Sequence, residues 1–157
     1  MKKYNFITKF IDDFLTREQI FGLGLHSSVD QIKEIFGQET EEDEILYENL
    51  CFNYIFFQKS YIIISEGKIR QINIDFRGIP EKIDSSIRAL KKLTYEDVVE
   101  LCKINNILYK RMIDPYLEQL FIVSTNNHAV LVFNENLVLK EIVIASLIAK
   151  LEEVSDS

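Results

Sequence analysis

The fold is decided by the stretch GLGLHSSVDQIKEIFGQETEEDE, residues 22–44. Ser28 and Gln31 stand in the relation of a capping box: each side chain can accept a hydrogen bond from the backbone N–H of the other residue. Gly37 follows at the position where glycine commonly ends a helix in a left-handed conformation. The apolar stripe between these caps has helical spacing and consists of Ile32, Ile35 and Phe36. The stretch therefore predicts a short helix, capped at both ends, that leads into an acidic run.

The adjacent pair His26 and Ser27 raises the question of catalysis in the same stretch. A nucleophilic serine needs a base within hydrogen-bond reach and a third group that orients the base, and adjacency in sequence does not supply this geometry. The other histidine, His128, follows two asparagines in a predicted turn. No Cys/His cluster has metal-site spacing, and Gly22-Leu-Gly24 lacks the remaining residues of a phosphate-binding loop. The sequence therefore predicts no enzyme, no catalytic residue, no cofactor and no metal.

Four strands are predicted after the acidic run, at residues 45–47, 50–57, 61–65 and 68–76. Gly67 lies in a hairpin signal between the third and the fourth. Polar and apolar residues alternate in the fourth: Gln71, Asn73 and Asp75 on one side, Ile72, Ile74 and Phe76 on the other. A second set at this period lies in residues 50–57: Phe52, Tyr54 and Phe56. We interpret this set as part of the core face rather than as a base-stacking platform.

The pattern then restarts, which indicates an internal repeat. Thr94 and Asp97 repeat the capping relation of Ser28 and Gln31, 66 residues later. Four further strands are predicted at residues 109–112, 119–124, 129–133 and 137–145. Residues 139–144 align with residues 69–74 at an offset of 70. Such self-similarity argues for two copies of a helix-then-sheet unit, repeat one at about 22–79 and repeat two at about 90–145.

Neither unit can bury a sheet face with one short helix, so we expect the two units to join. The predicted fold is a single α+β domain, residues 1–157, whose repeats form one curved antiparallel sheet of about eight strands with the helices on one face. The other face is expected to be open and polar. Periodicity also predicts an N-terminal helix at about 3–15 and a terminal helix at 144–153.

Composition limits the class of protein. The chain has 157 residues, of which 47% are hydrophobic, and a domain of this size buries about 70% of its unfolded surface. Cys51 and Cys102 lie far apart in apolar stretches, which is typical of buried reduced thiols and of a reducing compartment. No apolar stretch approaches the roughly 18 residues of a membrane span. We therefore expect a cytoplasmic protein without membrane contact.

Charge indicates the kind of partner. With 25 acidic and 18 basic residues the chain carries a net charge of −7, which disfavours direct nucleic-acid binding and favours basic partners. The excess is concentrated in residues 38–50, which hold no Lys or Arg. These residues form either a solvated strand edge or a surface for a cationic protein. The candidate binding residues are Glu39, Glu41, Glu42, Asp43, Glu44 and Glu48, together with the polar strand positions Gln71, Asn73 and Asp75.

The segments LGLHSSVDQIKEIFG, YENLCFNYIF and KIRQINIDF, followed by LTYEDVVELCKINNILYKRM and HAVLVF, resemble a known family. They are similar to the immunity proteins of bacterial polymorphic-toxin and contact-dependent growth inhibition systems, in particular those built from tandem repeats like the β-lactamase inhibitor protein. The resemblance covers residues 22–145 and contains no catalytic signature. It implies a cytoplasmic protein that binds one cognate toxin domain and blocks it without a cofactor. No family contact residue transfers to a position of this chain.

Two other classes of function remain open. A non-inhibitory interaction protein, such as an assembly factor or a phage-encoded antagonist of a host enzyme, fits the same fold. An enzyme could draw on His26 and His128, the only histidines of the chain, or on a pair of Glu and Asp side chains that approach each other across a cleft. A gene position directly after a large secreted-toxin gene would favour immunity over both.

Overall fold

The computed structural model describes residues 2–57, 59–76, 87–146 and 152–154. The helices in these residues are α1 (Lys2–Arg17), α2 (Val29–Phe36), α3 (Ile87–Leu90) and α4 (Tyr95–Asn105). The strands of the first half are β1 (Glu41–Tyr47), β2 (Leu50–Phe57), β3 (Ser60–Ser65) and β4 (Lys68–Asp75). Those of the second half are β5 (Lys110–Ile113), β6 (Leu120–Val123), β7 (Ala129–Phe133), β8 (Leu139–Ala145) and the short β9 (Glu152–Glu153).

All strands belong to one open antiparallel sheet in the order β1-β2-β3-β4-β8-β7-β6-β5-β9. Each half of the chain contributes a four-stranded meander, and the two meanders meet through their fourth strands, β4 and β8. The two-residue β9 is added to the outer edge of β5. The predicted α+β fold, with two helix-plus-sheet units in one sheet of about eight strands, is confirmed.

The register at the junction shows that the repeat is structural. Asn73 pairs with Val143, and these residues are 70 positions apart, the offset at which the two strands align in sequence. On either side of this pair, Ile72 faces Ile144 and Ile74 faces Ile142. The pairing is therefore symmetric about the Asn73–Val143 pair, as expected for two copies related by an approximate two-fold axis through the sheet.

A β-bulge recurs at equivalent positions of the two repeats. In β4 the register against β3 skips Arg70, and in β8 the register against β7 skips Lys140, again 70 residues later. An extra residue in a strand turns the following side chains to the other face. The bulge explains why Ile69 and Leu139 share the buried face with residues three positions further along.

The predicted helix caps are confirmed in both repeats. The Ser28 hydroxyl accepts from the N–H of Gln31 at 3.2 Å, and the Gln31 side chain accepts from the N–H of Ser28 at 2.8 Å. Thr94 and Asp97 make the same reciprocal pair at 3.1 and 3.2 Å. Gly37 ends α2 with φ +87° and ψ −160°, so its φ is positive but it does not adopt the left-handed helical conformation that was predicted for it. The serine of the opening stretch therefore has a structural role.

The helices cover one face of the sheet, and the main core lies between them. Phe14 of α1 and Ile32 of α2 are fully buried against sheet residues such as Ile62, Ile72 and Phe133. α1 also contacts α3 and α4. The sheet face opposite the helices, called the open face below, carries the alternate residues of each strand.

The open face is not polar, which corrects the expectation from the alternation in β4. One row of paired residues crosses it from the first repeat to the second: Glu41, Phe56, Tyr61, Asn73, Val143, Val130, Val123 and Lys110. Aromatic residues occupy the first repeat, whereas Val123, Val130 and Val132 form a small apolar cluster in the second. Polar residues are confined to the middle of the row and its ends.

Phe52, Tyr54 and Phe56 lie on the open face, not on the core face, because the helices pack on the alternate residues Ile55 and Phe57. The terminal helix at 144–153 is wrong at both ends, since β8 runs to Ala145 and residues 152–153 form β9. Residues 77–86, between the two predicted repeats, lie outside the described residues.

Removing either cap residue should destabilise the protein. We expect Ser28→Ala and Thr94→Ala each to lower the free energy of unfolding by about 1 kcal/mol, because each leaves helical N–H groups without an acceptor. Since the two helices belong to different repeats, the double variant should show the sum to within about 0.5 kcal/mol. Urea unfolding measures all three values, and a cap variant as stable as the parent would contradict the capping role.

Candidate functional site

The acidic run forms an edge strand of the sheet. β1 pairs with β2 through the two-residue turn Glu48-Asn49, in which both residues have positive φ, 49° and 66°, as in a type I′ hairpin. All seven residues of β1 are exposed. Acidic residues are poor strand formers in general, but charged side chains are common on edge strands, where they discourage pairing with other chains. The acidic sequence is therefore accommodated by its position at the edge.

The strand distributes the predicted acidic residues over both faces of the sheet. Glu41 and Asp43 lie opposite Phe56 and Tyr54, and so belong to the open face. Glu42 and Glu44 lie opposite Ile55 and Asn53, on the other face. Glu39 precedes the strand and makes an ion pair with Lys33 of α2 at 3.0 Å, whereas Glu48 lies in the hairpin turn. The structure thus brings Glu41 and Asp43 together on the open face and places the other four acids elsewhere.

The second half of β1 and the start of β2 expose apolar side chains. Leu46 is 72% exposed and Tyr47 is 64% exposed, and Ile45 and Leu50 are exposed as well. Ile45, Tyr47 and Leu50 line one end of a groove of about 530 Å³. The remaining groove residues are Phe52, Tyr54, Ile63, Ser65, Glu66, Arg70, Gln71 and Ser146. This depression is called the aromatic groove below.

Three aromatic rings lie side by side on the open face next to the groove. The ring centroids of Tyr54 and Phe56 are 6.3 Å apart, those of Tyr54 and Tyr61 are 5.9 Å apart, and those of Phe56 and Tyr61 are 5.6 Å apart. Offset and tilted rings at such separations attract one another beyond the area they bury. The three rings therefore form one contiguous group, called the aromatic cluster below.

Sequence reasoning missed the aromatic groove because both faces of β2 are apolar. Phe52, Tyr54 and Phe56 alternate with Ile55 and Phe57, so a period of two alone does not tell which set faces the helices. Glu48 and Asn49, between the two strands, are the part of the sequence that bears on this choice. A two-residue hairpin there would have fixed the register of β1 on β2 and placed the acidic residues beside the aromatic ones.

The predicted polar positions of β4 lie in the middle of the open face. The Tyr61 hydroxyl accepts from the side-chain amides of Asn73 at 3.3 Å and Gln71 at 3.5 Å. Burial, followed by the charge of Glu141, raises the pKa of Tyr61. Asn73 and Asp75 are only 7% and 6% exposed, so they are not the freely exposed side chains that the alternation predicted. Asn73 Oδ1 is buried without a hydrogen-bond partner.

The two groups of predicted binding residues do not form one continuous patch. β4 lies three strand spacings from β1, about 14 Å, with the aromatic cluster between them. Of the polar positions in β4, Gln71 lines the aromatic groove. The candidate site that the structure supports therefore consists of the groove, the exposed apolar end of the β1–β2 hairpin and the acidic side chains of β1.

A second depression, of about 310 Å³, contains both histidines and Glu18. The Glu18 carboxylate lies 3.5 Å from His128 Nδ1 and accepts from the Ser124 hydroxyl at 2.7 Å. Ser124 Oγ also accepts from the backbone N–H groups of His128 and Ala129. Ser27 Oγ accepts from the N–H of Gly24 at 2.9 Å. Both hydroxyls are thus held by backbone groups, and the network ties the end of α1 to the β6–β7 turn.

Comparison with known proteins leaves the family open. No family model, no curated protein and no solved structure matches the chain. Within the described part of the chain, no helix is long and apolar enough to cross a membrane. The same residues contain no group of three or more His, Cys, Asp or Glu side chains arranged to hold a metal ion.

The alkylation rates of the two cysteines should test the environment of each thiol. Cys51 is partly exposed rather than buried as expected, and its pKa is raised chiefly because its thiol donates to Glu44 at 3.1 Å. Cys102 is buried, which raises its pKa to about 12. Since the thiolate is the reactive form, native protein should be alkylated at Cys51 alone, and slowly.

The variant Glu44→Ala removes the acceptor and the negative charge, so the pKa of Cys51 should fall and its alkylation at pH 8 should become faster. Mass spectrometry after timed iodoacetamide treatment measures both sites. Glu100→Ala, a distant exposed acid on α4, is the matched control and should leave the rate unchanged. Alkylation of Cys102 in the folded protein would contradict the packing of α4.

Proposed function

We propose that this chain is an immunity protein that binds a cognate bacterial toxin domain and blocks it by occlusion. The observation that carries the proposal is an exposed acidic edge strand placed directly beside an apolar, aromatic groove on the sheet face opposite the described helices. Apolar and aromatic side chains on a rigid support supply binding energy at low entropic cost. The resemblance to tandem-repeat immunity proteins supports the same proposal.

The proposed partner is a basic domain, such as a nuclease. The net charge of −7 and the exposed acids of β1 repel nucleic acid and attract a cationic surface. Complementary potentials raise association rates to about 10⁸–10⁹ M⁻¹s⁻¹ at low salt. Fast capture suits an inhibitor that must act before its toxin does. Cytoplasmic location belongs to the same proposal, because such a toxin acts inside the cell.

Occlusion requires no reaction by the inhibitor itself. In the proposed complex, Glu41 and Asp43 face the basic surface of the toxin, and the aromatic groove accepts an apolar side chain. A non-inhibitory interaction protein would use the same surface. The two functions differ in one measurement: an immunity protein abolishes the activity of the toxin domain encoded beside it when present in equimolar amount.

Charge reversal on the open face should slow binding. We expect Glu41→Lys with Asp43→Lys to lower the association rate constant by about tenfold and to weaken its dependence on salt, because the local attractive potential is lost. The measurement is surface plasmon resonance against the neighbouring toxin domain at several salt concentrations.

The matched control is Glu100→Lys with Glu135→Lys, which makes the same change in net charge at two exposed positions of the second repeat. It should reduce the rate much less, because both positions are remote from β1. Equal effects of the two pairs would show that only total charge matters and would contradict the placement of the site. Failure of the parent protein to bind or inhibit the toxin would contradict the function itself.

A further inference from the structure

The two edges of the sheet are equivalent in the repeat but differ in what covers them. β1 and β5 are the first strands of their repeats, and each pairs on its inner side with the second strand. The outer side of β5 is occupied by β9, where Glu153 pairs with Met112 and Glu152 with Ile113. The outer side of β1 pairs with no described strand, and every β1 side chain is exposed. Within the described residues, one edge is therefore closed by an added segment and the other is left unpaired.

The closed edge shows that this architecture accepts a short extended segment beside the first strand of a repeat. β9 pairs with β5 at Met112 and Ile113. The backbone N–H of Val154 continues the pairing by donating to the carbonyl of Arg111 at 2.8 Å. β1 occupies the equivalent position in the first repeat, and it begins with four consecutive acids.

Acidic residues on an edge strand are usually a protection against unwanted pairing. In β1 they protect only the first half, because Ile45, Leu46 and Tyr47 follow and are exposed on both faces of the strand. An unprotected apolar half beside a free backbone edge invites pairing with another chain. A role of β1 in preventing unwanted pairing therefore explains its four acids but not the exposed apolar residues that follow them.

We infer that β1 binds an extended cationic segment of the partner by strand addition, so that the partner contributes an extra antiparallel strand next to β1. The inference rests on the proposed function in that the partner is basic. Backbone hydrogen bonds along β1 supply affinity, and side chains supply the choice of partner. Glu41–Glu44 select Lys and Arg residues, and Ile45–Tyr47 select apolar ones.

The layout of β1 fixes the order of residues in the added strand. β1 runs from its acidic half to its apolar half. A strand that pairs antiparallel runs in the opposite direction, so its first residues lie beside Ile45–Tyr47 and its last residues beside the acids. The partner segment is therefore apolar at its start and basic at its end. An apolar side chain near its start lies next to Tyr47, which lines the aromatic groove.

A second copy of this chain fits the edge less well. Antiparallel pairing of β1 with itself about Glu44 would place Glu41 opposite Tyr47 and Asp43 opposite Ile45, with two Glu44 carboxylates face to face. Each copy also carries a net charge of −7. A cationic segment avoids both costs.

The direct test uses a synthetic peptide of about eight residues, the length of an ordinary strand, with Ile, Val and Tyr in its first half and Lys and Arg in its second. Its control replaces each Lys and Arg by Glu. Titration of the full chain should show binding of the basic peptide and at least about tenfold weaker binding of the acidic one. Amide hydrogen exchange followed by NMR should show slower exchange at alternate residues of β1, those whose N–H groups point outward.

Proline substitution separates backbone pairing from simple charge attraction. Adjacent N–H groups of a strand point to opposite edges, so one of the variants Glu42→Pro and Asp43→Pro removes an N–H that faces β2, and the other removes one that faces outward. Both remove one acid. The outward variant should keep the parent melting temperature and lose the peptide, whereas the inward variant should melt earlier.

The outcomes separate this inference from the proposed function. Binding of the basic peptide without any change in β1 amide exchange, no binding of the peptide at millimolar concentration, or unchanged binding in the proline variant that keeps its melting temperature would each overturn strand addition. Self-association in sedimentation that protects the same amides would assign the edge to a second copy and overturn the cationic partner. None of these measurements uses the toxin, so an inactive or unbound toxin overturns the proposed function alone.

Discussion

The pairing of β4 with β8 is the constraint on which the rest of the molecule depends. Each repeat offers four strands and short helices, too little to enclose a core by itself. Joining the fourth strands places Ile72 beside Ile144 and Ile74 beside Ile142, and these four fully buried residues form the centre of the helix-facing core. The symmetric register also determines that β1 and β5 become the outer edges. The position of the candidate site follows from this junction.

The sequence was sufficient to predict the repeat, because the features that mark it are local. Capping boxes depend on residues three positions apart, and both Ser28–Gln31 and Thr94–Asp97 form as the spacing predicts. The two strands that contain the aligned residues 69–74 and 139–144 are the ones that pair, antiparallel, at the centre of the sheet. Hairpin signals such as Glu66-Gly67, which both have positive φ, fixed the order of neighbouring strands. Such short-range interactions can be predicted without knowing how the strands are arranged overall.

The faces of the sheet were less predictable, because they depend on contacts between distant residues. Both sides of β2 are apolar, and only the packing of Phe57 against Phe36 of α2 decides which side is the core. The alternation in β4 predicted a solvent-exposed polar face, yet Asn73 and Asp75 are buried there among residues of neighbouring strands. The acidic residues of β1 form a strand despite low β propensity, since the type I′ turn and the edge position favour the hairpin.

Duplication allows one half of the protein to carry the proposed binding surface while the other half secures the fold. The second repeat closes its own edge with β9 and fills its open face with Val123, Val130 and Val132. The start of α4 is also tied to the sheet, because Leu139 N–H donates to the Leu93 carbonyl at 2.8 Å and Tyr95 N–H donates to that of Leu137 at 2.9 Å. The first repeat instead places aromatic rings, exposed apolar residues and acids at its outer strands. Substitutions in β1 change none of the buried contacts at the β4–β8 junction. The outer hairpin can therefore vary to match a partner while the core of the sheet stays the same.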